Sequence, residues 1–155
     1  MKLVLQLILV LAIVFIAASA YTLWTNRLPW KEPPGFLSRL SIYLTQNVAE
    51  TSEDAILPEL RPRTMPIEAP LLLDDLTRHV IALGWQLDSV DMSNLTLTAS
   101  ETTQWLKFTD DISIRLEPLP NKQTRIHIRS ASRIGRADYG TNLARILRLY
   151  WNLGI

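Results

Sequence analysis

The sequence predicts an α+β fold: an N-terminal transmembrane helix, then a small antiparallel sheet with helices on one face, in the order β-α-β-β-β-β-α. Three observations carry that prediction. Residues 3–24 form one uncharged apolar run, the middle of the chain alternates apolar and polar residues at strand spacing, and flanking segments show helical spacing. Hydrophobic residues make up 48% of the 155, and residues 1–24 hold 20 of them. The remainder is therefore about 41% apolar, an ordinary soluble composition. Sixteen Lys+Arg against fifteen Asp+Glu exclude a wholly disordered chain. The absence of Cys excludes a disulfide framework, a thiolate zinc site and a Cys nucleophile.

The apolar run LVLQLILVLAIVFIAASAYTLW (3–24) contains a single amide, Gln6. As a helix its 22 residues reach roughly 33 Å, about the hydrocarbon thickness of a bilayer. A membrane anchor is expected here, contacting lipid through residues 3–24, with Tyr21 and Trp24 at headgroup level. A cleaved secretory signal is the alternative, with Ala18-Ser19-Ala20 as its small-residue processing site. Counting Arg27, Lys31 and Arg39 favours a cytoplasmic domain, whereas the two-residue tail before the run is how a signal-anchor begins. The expectation is a single-pass protein whose C-terminal domain is exported across the membrane.

Residues 25–60 read as a connector. TNRLPWKEPP (25–34) holds three of the nine prolines and is extended. Phe36, Leu37, Leu40, Tyr43, Leu44 and Val48 then follow helical spacing, predicting an amphipathic helix over 35–48. That helix either lies on the membrane, with Trp30, Lys31 and Arg39 at headgroups, or caps the domain core. Residues 49–55 read as a surface loop.

The α+β domain is expected over 61–155. Arg63–Ile67 reads as a strand, and Pro70 opens a helix with Leu72, Leu73, Leu76, Val80 and Leu83 on one face, stopped by Gly84. Trp85–Val90 and Leu95–Ser100 follow as strands joined at Met92–Asn94, where Asn94-Leu95-Thr96 reads as a turn rather than a glycosylation acceptor. Alternation returns at Gln104–Phe108 and continues through Ile112, Ile114 and Leu116. After a turn at 118–123, Thr124–Ser130 points Ile126 and Ile128 inward and Arg125, His127 and Arg129 outward. One register that keeps apolar opposite apolar pairs Glu117 with Arg125 and Arg115 with His127, avoiding stacked like charges. A last helix begins near Asp138, with Leu143, Ile146, Leu147 and Tyr150 as its stripe.

Charge supplies the local functional signal. Residues 121–155 carry seven Lys+Arg and only Asp138, a local +6, and are densest in SASRIGRADYGTNLAR (130–145). Arg133 and Arg136 flank Gly135 just before a helix start, a pattern suited to an anion-binding corner with Asn142 and Arg145 behind it. The structural alternative has Asp138 capping the helix and Arg133 or Arg136 pairing with Asp110 or Asp111.

Catalysis finds little support. Asp110 and Asp111 are strand neighbours that point to opposite faces, so they cannot readily share a proton or a metal. His79 and His127 have no second ligand at metal spacing, and no phosphate loop or nucleophile elbow is present. Neither a metal nor a cofactor is expected. An aromatic-basic platform of Trp105, Lys107 and Thr109 is the one nucleic-acid-like feature, and nucleic acid is not expected as a partner of a chain with a membrane run.

Three segments resemble the bacterial family called domain of unknown function 1499: YLTQNVAET with PELRPRTMP (43–66), TTQWLKFTDDISIR (102–115) and SRIGRADYGTNLARI (132–146). The last is the most specific, through Ser132, Arg133, Gly135, Arg136, Asp138, Gly140, Asn142 and Arg145. The resemblance covers roughly residues 36–152. Some relatives carry a cysteine near the start of the domain, where Gln46–Thr51 here has none. The resemblance implies a small α+β domain, often exported or membrane-linked, and no defined reaction. The functional expectation is a non-catalytic envelope protein binding a protein partner or a small anionic ligand. An accessory subunit docked on a membrane-protein partner, or an enzyme using Asp110, Asp111 and Arg133, are the alternatives.

Overall fold

A computed structural model of the chain describes residues 1–103 and 107–155. Among them are helices α1 (Lys2–Thr25), α2 (Phe36–Thr45), α3 (Ala69–Ala82) and α4 (Thr141–Asn152), and a 3-10 turn over Pro58–Leu60. The strands are β1 (Val48–Glu50), β2 (Arg63–Met65), β3 (Gln86–Asp91), β4 (Thr96–Thr102), β5 (Thr109–Leu119) and β6 (Gln123–Ser132). The architecture is α+β. α1 has no buried residue and is long and apolar enough to cross a membrane.

All strands join one antiparallel sheet ordered β1-β6-β5-β4-β3, with β2 also pairing β6 at the end opposite β1. In β5 and β6, Glu117 lies opposite Arg125 and Arg115 opposite His127, the register that avoids stacked like charges. Leu97 and Ala99 of β4, Ile112 and Ile114 of β5, and Ile126 and Ile128 of β6 alternate onto one face. There they meet Leu72, Leu73, Leu76 and Val80 of α3 and Leu143, Ile146 and Leu149 of α4 in one core. Burying each such side chain is worth about 1.5–3 kcal/mol, which is why both helices lie on that side. The opposite face is polar and uncovered, as an antiparallel sheet permits.

The same core takes in Leu28, Tyr43, Ala49, Leu57 and Leu60 from the segment before β2. α2 ends at Thr45, short of the expected 48, because Val48–Glu50 pairs with β6 as β1. The expected surface loop thus begins inside a strand, one too short for alternation to reveal. Arg39 is also not a headgroup contact. It is 0% exposed, donating to Glu59 (2.8 Å), the Tyr43 hydroxyl (2.9 Å) and the backbone oxygens of Glu32 and Pro33. Tyr43 and the half-buried Trp30 stack edge-on beside it. At the β3–β4 turn the Asp91 carboxylate accepts from both Ser93 and Asn94, which makes Asn94 a turn residue.

The expected strand at Gln104–Phe108 falls partly outside the described residues. Lys107 and Phe108, which are described, precede β5 rather than joining it.

Candidate functional site

The arginines of the C-terminal segment have three different fates. Arg145 points from α4 into the protein and is 1% exposed. Its guanidinium donates to Glu101 (2.6 Å), Asp110 (2.6 Å), Ser130 (2.9 Å) and Asn142 (2.5 Å). Buried charge is tolerable only when paired and hydrogen-bonded, and here both conditions are met. Asn142 is buried beside it and donates to the Asn47 backbone oxygen (2.9 Å) and the Ser132 hydroxyl (3.0 Å). Burial pushes the Glu101 carboxyl up, but Arg145 and then Arg148 outweigh it and leave the group below the usual carboxylate range.

Asp138 accepts from the backbone N–H groups of Gly140 (2.9 Å) and Asn142 (2.8 Å), occupying donors that the first turn of α4 would otherwise leave unpaired. Burial nevertheless holds its carboxyl above the ordinary aspartate value. Asp138, Asn142 and Arg145 together fasten α4 to the end of the sheet.

Arg133 and Asp111 form a fork-like pair on the outside, at 2.7 and 3.0 Å, both about half exposed. That hydrogen bond lowers the Asp111 carboxyl. Asp110 and Asp111 therefore point to opposite faces, one to Arg145 and the other to Arg133. Gly135 has φ +97° and its carbonyl accepts from the Asn47 amide (2.6 Å). Arg136 is exposed and has no ion pair among the described residues. The five residues of the expected anion corner are thus not one cluster: Asn142 and Arg145 face inward, while Arg133, Gly135 and Arg136 are outside.

The uncovered sheet face forms a shallow groove of about 440 Å³, floored by Thr96, Thr98, Ser113, Arg115, His127 and Arg129. His127 bonds Glu117 at 2.8 Å, and that bond holds the Glu117 carboxyl down. Arg129 lies 3.5 Å from Glu50, a loose contact. Arg115 is exposed and has no ion pair among the described residues. The groove thus offers hydroxyls flanked by one unpaired and one weakly paired guanidinium.

A protein-family model described as "Protein of unknown function (DUF1499)" matches residues 30–153. The chain belongs to the DUF1499 family. No curated protein matches it. The DUF1499 match begins at Trp30, so it takes in α2 and β1 and leaves α1 outside. Within the DUF1499 domain, the groove residues went unread as a site from sequence. Thr96, Thr98, Ser113, Arg115, His127 and Arg129 were legible only as outward positions on three separate strands. Register is what assembles them, and the one available signal was that every outward position there is polar. Among the described residues no three His, Asp or Glu side chains converge as a metal site would require.

Proposed function

We propose that this is a non-catalytic, single-pass protein of the bacterial inner membrane whose periplasmic domain binds an anionic group, carried by a protein partner or a small ligand. The observation that carries the reading is the groove, where Arg115, exposed and without an ion pair among the described residues, stands beside Arg129 and three hydroxyls. Guanidinium groups suit carboxylates and phosphates because they donate in a planar fork. Retention of α1 as anchor rests on its length and on the apolar run continuing past Ala20 to Trp24.

The non-catalytic reading rests on how the polar groups are committed. Asp110 faces Arg145, Asp111 faces Arg133 and His127 is bonded to Glu117. A photo-reactive residue at Ser113, in cells, is expected to yield a crosslinked species that Arg115→Glu removes at unchanged protein level. Equal crosslinking from Ile81 on α3, or indifference to Arg115→Glu, contradicts the groove. Alkaline phosphatase fused after Ile155 is expected to be active, and a silent fusion contradicts export.

A further inference from the structure

We infer that one end of the sheet rests on the lipid surface, touching anionic headgroups through Lys107 and Arg136 and the acyl boundary through Phe108 and Ile134. This rests on α1 being retained as proposed above.

The topology brings four chain segments to that end. β4 finishes and β5 starts there, with Thr102 opposite Thr109, and β6 finishes there with Ser132 opposite Asp110. α4 starts there, and the α2–β1 junction meets it, since the Asp138 N–H donates to the Gln46 oxygen (3.0 Å). The membrane-length helix arrives at the same place. Thr25 is its last residue, and the next, Asn26, donates through its side chain to the Tyr139 oxygen (3.0 Å) and the Thr141 hydroxyl (3.2 Å). Leu28 then buries itself against Gly140. The domain is therefore seated directly on the end of the span, with no free tether between them.

This end carries what a headgroup boundary accepts. Ile134 is 69% exposed and Phe108 46% exposed, although both are large and apolar. Arg136 and Lys107 are exposed beside them with no ion pair among the described residues. Arg27, next to the Asn26 that bonds Tyr139 and Thr141, is a further exposed cation at this end. Apolar tips flanked by cations are the pattern of an interfacial contact with anionic lipid. The β6–α4 loop is held rather than loose, because Asn47 donates to Gly135 and the Arg133 N–H donates to the Thr109 oxygen (3.2 Å).

The absence of Cys makes the test clean. Single-cysteine variants Ile134→Cys and Met92→Cys, the latter in the turn at the far end of the sheet, are spin-labelled in the full chain. The labelled chains are reconstituted into vesicles of phosphatidylethanolamine and phosphatidylglycerol. Relative to oxygen, the label at 134 should meet a water-soluble nickel chelate several-fold less often than the label at 92. The difference should shrink when Arg136→Glu and Lys107→Glu are added. Equal accessibility at the two positions, in chains that float with the vesicles, overturns this inference and leaves the anchor standing. Chains that do not float overturn both.

Discussion

Leu28 lies across Gly140 so closely that a Cβ on residue 140 would come within 2.5 Å of the Leu28 Cδ1. Gly140 also sits at φ +76°, where a side chain is strained regardless of space. This contact joins the connector behind the span to the start of α4. Gly140→Ala is therefore expected to destabilise the protein by about 2–3 kcal/mol from strain and overpacking together. Adding Leu28→Ala should recover part of that loss, because the clash is relieved while the strain remains. Urea unfolding of the double-mutant cycle checks this, and strictly additive losses would contradict the contact.

Arg145 and Arg133 should respond very unequally to truncation. Arg145→Ala strands Asp110 in the interior without its counter-charge and leaves Glu101 only the half-exposed Arg148, a loss of about 3–5 kcal/mol. Arg133→Ala breaks only an exposed, solvent-screened pair and should cost far less. Similar midpoints for the two variants in denaturant would show that the buried cluster is not what fastens α4.

Acid should weaken the fold through Glu101. Its folded-state pKa is lowered, so it contributes stability that is complete above the unfolded value near 4.5 and lost as pH falls through the folded value. Asp138 works in the other direction: its folded pKa is raised, so its contribution is complete below the unfolded value near 3.8 and fades as pH rises through the folded one. Glu101→Gln is expected to lower stability at neutral pH and flatten the decline below pH 4.5. Thermal melts across pH 3–7 read it, and an unchanged acid limb contradicts the Glu101 assignment.

Tyr150 places its hydroxyl in the core without a hydrogen-bond partner among the described residues, under the Arg63 guanidinium 4.5 Å from its ring. Burial pushes its pKa up to about 12. Tyr150→Phe should be neutral or stabilising by up to about 1 kcal/mol, since it removes an unsatisfied polar group and keeps the ring. In the wild type, stability should fall as pH rises from about 10 towards 12, and the variant should lose that dependence. A clearly less stable Tyr150→Phe would mean that the hydroxyl is bonded in solution.

Much of the fold was legible because its signals are local. Alternation located β4, β5 and β6, and the observed β5–β6 register is one of those that keep apolar opposite apolar, the one weighed for avoiding stacked like charges. β1 was not legible, since three residues carry no period. The fate of charged residues was harder to read. Arg39 lies on an amphipathic helix as a membrane-facing arginine would, and Glu59, twenty residues away, draws it inward together with the Glu32 and Pro33 carbonyls and the Tyr43 hydroxyl. Arg133, Arg136 and Arg145 look alike in sequence, yet one is paired outside, one is exposed and one is buried. Their difference depends on Asp111, Asp110 and Glu101, which approach only when the strands pair. The groove shares that cause, since its lining comes from strands far apart in the chain.

Intact mass and amino-terminal sequence of the protein recovered from the membrane fraction test the account most directly. A retained anchor predicts that residues 1–24 are present and that the protein is extracted only by detergent. A product beginning at Tyr21 and released into the soluble fraction would contradict it.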